Sequence, residues 1–330
     1  MTPFAYSKPD SIEQALREAG PQTRFIAGGT NLLDLMKENI ERPARVIDIT
    51  ALPLREVRTT PAGGLRIGAL VSNAELAWHP QVEARYPLLS QAILAGASPQ
   101  LRNMASTGGN LLQRTRCHYF YDAAVPCNKR LPGSGCPARD GLNRQHAILG
   151  ASEECVAVHP SDLCVALTAL EARVLVHGRQ GERSIPFADF HRLPGKTPER
   201  DNCLASDELI VALELPPPRF VARCRYLKIR DRASYAFALV SVAAGLALAE
   251  DNSIAELRVA LGGVAHKPWR DQDLEQSMKG SPACRYTWAG FADQLLRDAR
   301  PLEHNAFKIT LAKNAIIRAL SQAQATEEQP

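Results

Sequence analysis

Four of the eight cysteines, Cys117, Cys127, Cys136 and Cys155, fall in one segment with the spacing C-x9-C-x8-C-x18-C. Cys164, Cys203, Cys224 and Cys284 stand singly. The clustered set lies in RCHYFYDAAVPCNKRLPGSGCPARDG and SEECVAVHPSD, rich in Pro and Gly and with little apolar periodicity. Such a segment builds no core of its own, so thiol chemistry is the natural means of holding it. Two disulfides suit an oxidising compartment and allow three pairings. A zinc ion takes four thiolates tetrahedrally. An iron–sulfur cubane takes four thiolates, one per iron. Neither the zinc knuckle C-x2–4-C nor the ferredoxin run C-x2-C-x2-C is present, so spacing leaves metal, cluster, disulfides and free buried thiols open. Arg114, Arg116, Lys129, Arg130, Arg139 and Arg144 surround the thiols. Cations favour thiolates, although each of these taken singly is equally well a solvated loop charge.

A second chemistry is suggested by two glycine loops. FIAGGTNLL places Gly28 and Gly29 between an apolar strand and a helix, with Thr30 and Asn31 as side-chain donors. Glycine lets backbone approach a phosphate, and a helix N-terminus offers free N–H groups. ASTGGN (105–110) is a loop of the same kind. Neither is the G-x-G-x-x-G fingerprint or a Walker loop, and each alone reads as ordinary turn chemistry. Together they could clasp a diphosphate from two sides.

The elements that must position these groups are mixed. PFAYSKP reads as a strand, followed by a helix capped by Asp10 or Ser11 that buries Ile12, Ala15 and Leu16. Phe25 and Ile26 form a strand ahead of the first loop, and Leu32, Leu33, Leu35 and Met36 a helix after it. VIDIT (46–50) and LRIGALVSN (65–73) read as strands, and 74–96 as helical. ASPQLRNMASTGGNLLQRT has no period and reads as a loop. PSDLCVALTALEARVLVHG is a helix then a strand, and ELIVALELPPP a strand stopped by prolines, with a domain edge near 216–219. Further strands around a small-residue helix are expected over CRYLKIRDRASYAFALVSVAAGLAL and ELRVALGGVAHKPWR. The tail is helical with a break at Pro301 and a frayed acidic, Gln-rich end. Without regular βαβ alternation, the fold class is α+β.

At 330 residues the chain is long enough for two domains. A formal charge of +4 without a Lys/Arg block excludes nucleic acid and a membrane surface as obvious partners. No apolar run approaches a transmembrane helix, and the N-terminus lacks the pattern of a signal peptide. No Ser-His-Asp or paired-carboxylate constellation is visible.

In this order, IAGGTNLLDLMK, LRIGAL, LRNMASTGGNLLQ, HPSDLCVALTALEA, PGKT and YLKIRDRASYAFALVSVAAG resemble the FAD-binding subunits of the molybdenum hydroxylases, the xanthine dehydrogenase and aldehyde oxidoreductase family, over nearly the whole chain. The cysteine insert resembles that of the aldehyde oxidoreductase branch of the bacterial periplasm, whose flavin subunit holds a [4Fe–4S] cluster; hydroxybenzoyl-CoA reductases carry a differently built insert. The resemblance implies a PCMH-type, vanillyl-alcohol-oxidase-like FAD-binding domain over 1–218. Its subdomains are about 1–55 and 56–218, with the cluster insert at 114–155. A CO-dehydrogenase-flavoprotein-type domain follows over 219–330. It implies that Ile26, Ala27, Gly28, Gly29, Thr30, Asn31 and Leu32 wrap the FAD pyrophosphate and that Ser106, Gly109 and Asn110 form the second flavin loop. Asp162 would bond ribityl or ribose hydroxyls, Lys228 would lie near the flavin ring, and Lys196 would also reach the cofactor. Read without the family, Asp162 is a helix N-cap and Lys228 a surface strand lysine.

Cys117, Cys127, Cys136 and Cys155 become the cluster ligands, and Cys164 a small buried apolar residue. The implied role is electron transfer: from [2Fe–2S] centres of a small partner chain, served by a molybdopterin-containing large subunit that oxidises the aldehyde, through FAD to an external acceptor. The alternatives are a flavin subunit of the xanthine dehydrogenase or hydroxybenzoyl-CoA reductase type, or a structural subunit with a non-redox cluster. The expected location is the periplasm, reached by co-export with a signal-bearing partner, the alternative being the cytoplasm.

Overall fold

The computed structural model describes residues 1–325; residues 326–330, where the frayed end is expected, lie outside the described residues. The chain opens with a small parallel sheet in which Arg45–Asp48 runs between Ala5–Ser7 and Thr23–Ile26. The helix Ile12–Glu18 lays Ala15 and Leu16 against Ile47, Ile49 and Leu52. Ser11 caps it, its Oγ accepting the Gln14 amide at 3.2 Å. An antiparallel sheet follows in the order Val57–Thr59, Leu65–Gly68, Leu209–Leu215, Arg173–Gly178, Gly181–Pro186. A third, antiparallel sheet has Val240–Leu248 between Cys224–Ile229 and Ile254–Gly262. Helices Arg285–Leu295 and Phe307–Ala325 cover one of its faces. The mixed α+β architecture is as expected.

Three local expectations are corrected. The small-residue helix near 240 is the central strand Val240–Leu248. Val240, Val242, Ala244 and Leu246 enter the core under the C-terminal helices, while Ala243 enters the core on the other face. A strand buried on both faces loses the alternation by which strands are recognised. Residues 74–96 are helical as expected, in three pieces, Asn73–Ala77, Pro80–Arg85 and Pro87–Ala95, because Pro80 and Pro87 each restart the helix at its first turn. The strand over 65–73 ends at Gly68. The expected loop over 97–115 contains two short helices, Pro99–Met104 and Thr107–Leu111, the second capped by Ser106.

The three hydrophobic clusters include no residue between Leu111 and Ile148 among the described residues. The cysteine segment is held by polar staples instead. Lys129, its side chain fully buried, donates to Asp201 Oδ1 at 2.5 Å and to the Pro198 carbonyl at 2.7 Å. Arg114 bridges Asp201 and Glu41, each at 2.8 Å. From the C-terminal domain, Asn305 donates to the His146 and Ala147 carbonyls, and Lys308 donates to the carbonyls of Gln145, His146 and Gly263.

Candidate cofactor sites

The first glycine loop leaves the strand Thr23–Ile26 and enters the helix Leu32–Lys37. Gly29 has φ +70°, a conformation that disfavours any side chain. Asn31 stands at the N-cap but makes no capping bond. Its Oδ1 accepts the Arg114 amide at 2.9 Å, and its Nδ2 is buried without a partner. The second loop turns at Ser106, whose Oγ accepts the Gly109 amide. The loops touch at Gly28, where a Cβ would lie 1.7 Å from the Met104 carbonyl oxygen.

Two cavities meet over these loops. One, of about 400 Å³, is walled by Ile26, Ala27, Gly28, Gly29, Thr30, Asn31, Leu32, Ser106 and Gly109. The other, of about 570 Å³, holds Asn110, Asp162 and Lys228, and shares Thr30, Asn31 and Gly109 with the first. A dinucleotide has two bulky halves joined by a diphosphate. Two cavities joined at paired glycine loops, with the orphaned Asn31 amide at the junction, suit that shape. Asn73, its Oδ1 also unpaired, lines the larger cavity.

Asp162 is the second residue to consider there. The N-cap of the helix Asp162–Ala169 is Ser161, not Asp162. The Asp162 carboxylate accepts Tyr226 Oη at 2.6 Å and Lys228 Nζ at 2.8 Å. Lys228 is therefore a buried, paired cation on a cavity wall rather than a surface lysine. Burial first, and then the Asp162 charge, push the Tyr226 hydroxyl well above its usual range. Tyr226 was missed at the sequence level. Its signal was the period of two along Cys224–Ile229, which puts residues 226 and 228 on one face. Lys196 is corrected: it is exposed and lines neither cavity. Arg102, Gln113, Arg116, Arg232, Tyr235 and Phe237 line the larger cavity and were not singled out as site residues.

All four clustered cysteines line one small cavity with Thr115, Phe120, Lys129 and Ala157, and all are free thiols. Burial pushes the Cys117 thiol up to about 11, against the opposing effect of the Phe120 and Tyr119 amides. The Cys155 thiol, donating to Cys136, brings Cys136 down to about 6 and is itself held above its usual range. Among the described residues no three of these sulfurs lie mutually within 4.8 Å. A tetrahedral zinc with bonds of about 2.3 Å brings its sulfurs to roughly 3.8 Å of one another. The donor set is four soft thiols, with backbone amides at Cys117, Cys136 and Cys155; Cys136 and Cys155 lie within hydrogen-bond reach, and no third of these sulfurs lies within 4.8 Å of both.

The set of three that does converge within 4.8 Å is His159, Cys164 and His191. His159 Nδ1 accepts the Ser161 amide, so the proton sits on Nε2. His191 Nε2 donates to the Leu111 carbonyl, leaving Nδ1 as a lone pair. His159 Nε2 and His191 Nδ1 are both buried without a hydrogen-bond partner, and Cys164 beside them is fully buried.

Burial pushes His191 down to about 4, His266 to about 3 and His159 well below 6.5. The unfolded chain protonates these rings near pH 6.5, whereas the folded chain does not until about pH 4 or lower. Stability is therefore lost as pH falls through 6.5. Three rings together amount to about 4 kcal/mol between pH 7 and 5.5. Thermal unfolding of the flavin-loaded protein should show a falling Tm over that range. A flat profile would mean that these rings are charged or hydrated in the fold.

A family profile described as the FAD binding domain in molybdopterin dehydrogenase matches residues 2–218, and one described as the CO dehydrogenase flavoprotein C-terminal domain matches residues 225–323. The chain is 52% identical to the aldehyde oxidoreductase FAD-binding subunit PaoB of Escherichia coli K12, over 98% of this chain and 99% of that one. It is 26% identical to the putative xanthine dehydrogenase FAD-binding subunit XdhB of the same organism, over 92% of this chain and 90% of that one. Among solved structures, a carbon monoxide dehydrogenase from Hydrogenophaga pseudoflava superposes with a TM-score of 0.76 at 24% identity, covering 99% of both chains.

Proposed function

Because this chain belongs to the FAD-binding subunits of the molybdenum hydroxylases, we propose that it is the electron-transfer chain of a molybdenum-dependent aldehyde oxidoreductase. It takes electrons from [2Fe–2S] centres of a small partner chain, with the molybdopterin on a large partner chain, and delivers them to an external acceptor. The high identity to an aldehyde oxidoreductase subunit, against 26% to a xanthine dehydrogenase subunit, supports the aldehyde reading.

The residues present fit FAD. Ile26 to Leu32 and Ser106, Gly109 and Asn110 wall the junction where a diphosphate would sit, with backbone amides and the Asn31 carboxamide as donors. Asp162 accepts hydroxyl donors, and Lys228 places a positive charge on the same wall. Bound FAD supplies the redox chemistry; the chain supplies position and electrostatics.

The residues also fit a [4Fe–4S] cluster held by Cys117, Cys127, Cys136 and Cys155. The observation that carries this is the convergence of four free thiols on one small cavity. A cluster there supplies a one-electron centre. The test is elemental and spectroscopic analysis of the purified complex and of Cys136→Ser. This chain should account for about four irons and four labile sulfides, and one FAD. Cys136→Ser should remove those irons and keep the flavin. Zinc or disulfides in their place would overturn the cluster assignment.

A further inference from the structure

We propose that His146 sets the reduction potential of the cluster held by the four cysteines, by donating its Nε2–H to the sulfur of Cys117, which shares a small cavity with residues of the flavin cavity wall. The inference rests on the cluster assignment above. His146 Nε2 lies 3.1 Å from Cys117 Sγ. Among the described residues this is the one side-chain N–H placed on any of the four sulfurs.

The ring is buried and its backbone is fixed on three sides. Its amide donates to Asn143 O at 3.0 Å, and its carbonyl accepts Lys308 Nζ at 2.8 Å and Asn305 Nδ2 at 3.2 Å. The rings of His118 and Tyr119 pack beside it. A ligating Cys117 carries no proton and only accepts. The proton of a neutral imidazole must then sit on Nε2, since the other tautomer would set two lone pairs against each other. Nδ1 is buried without a partner, in keeping with that tautomer.

Cys117 and His146 also line a small cavity of about 30 Å³ together with Ser161, Asp162 and Phe237. The last three also line the larger flavin cavity. Reduction adds one electron, and with it negative charge on the sulfurs, without moving a proton. A hydrogen bond to sulfur is stronger to the more negative state, so it favours the reduced cluster. Removing it should make the cluster harder to reduce.

The experiment is a redox titration of the assembled complex, following the EPR signal of the reduced [4Fe–4S] centre in the wild type, His146→Phe and His146→Gln. Iron is counted in each. His146→Phe should keep its iron and show the reduced-to-oxidised ratio lowered about tenfold at any fixed potential, about 59 mV for a one-electron couple. His146→Gln, which retains an N–H donor, should fall closer to the wild type. If the Phe variant loses iron while the Gln variant keeps both iron and potential, a donor at this position is confirmed as the requirement. An unchanged potential in the Phe variant, equal shifts in both variants, or loss of iron from both would overturn the proposal. Absence of this chain's four irons from the wild type would instead overturn the cluster assignment beneath it.

Discussion

Gly28→Ala is expected to yield a folded chain that keeps no more than about a tenth of its FAD after purification, a loss of at least ~1.4 kcal/mol in binding. The added methyl group would lie 1.7 Å from the Met104 carbonyl oxygen and 2.6 Å from its carbon, both backbone atoms that no side-chain rotation can clear. Relief requires the two glycine loops to separate, and these loops form the junction of both cavities. The stable cores lie elsewhere: neither Gly28 nor Met104 belongs to a hydrophobic cluster. Circular dichroism should therefore be unchanged while flavin absorbance per chain falls. Gly29→Val should also lose flavin, through its positive φ and contact with Leu33. Full flavin occupancy in Gly28→Ala would show that FAD does not depend on the closeness of the two loops.

The second large effect is expected from Lys129→Met. Burial alone would raise the Asp201 carboxyl, but Lys129 and Arg114 hold it far below the usual carboxylate range. Removing Lys129 leaves a largely buried carboxylate with one cation instead of two, and strips the cysteine segment of its innermost tie. Breaking a buried pair from one side costs about 3 kcal/mol at the lower end of the usual range, which suits a site where Arg114 still compensates. The Tm should fall by roughly 6 °C, and limited proteolysis should cut within 114–155 sooner than in the wild type. Adding Asp201→Asn should recover part of the loss, because no uncompensated charge then remains. Additive losses in the double variant would show that Lys129 acts through packing alone.

The cysteine set was legible because its residue type and grouping are chemically unusual, and the structure brings all four to one cavity. Their chemistry was not legible. Gaps of nine, eight and eighteen residues fit several groups. The glycine loops were legible as turns between strand and helix. The reason for Gly28 was not: its constraint is a carbonyl 76 positions further along the chain, at Met104. Lys196 shows the converse. Only the family resemblance placed it by the cofactor, and in the structure it is exposed.

By itself, then, the sequence determined what depends on local chemistry. It set the α+β mixture, the helix caps such as Ser11, the two glycine turns, and the grouping of four thiols in one segment. Tertiary structure alone decided what depends on residues distant in the chain. Asp162 meets Tyr226 and Lys228 because a helix start packs over a strand more than sixty residues away. Val240–Leu248 is a strand because both its faces are covered by elements that the local pattern does not reveal. The cysteine segment, lacking an apolar core, takes its shape from Lys129, Arg114, Asn305 and Lys308, polar groups whose partners are fixed only when the surrounding domains have folded. A buried charge or amide must find a partner wherever the fold supplies one, and that demand carries no sequence period by which it could be read in advance.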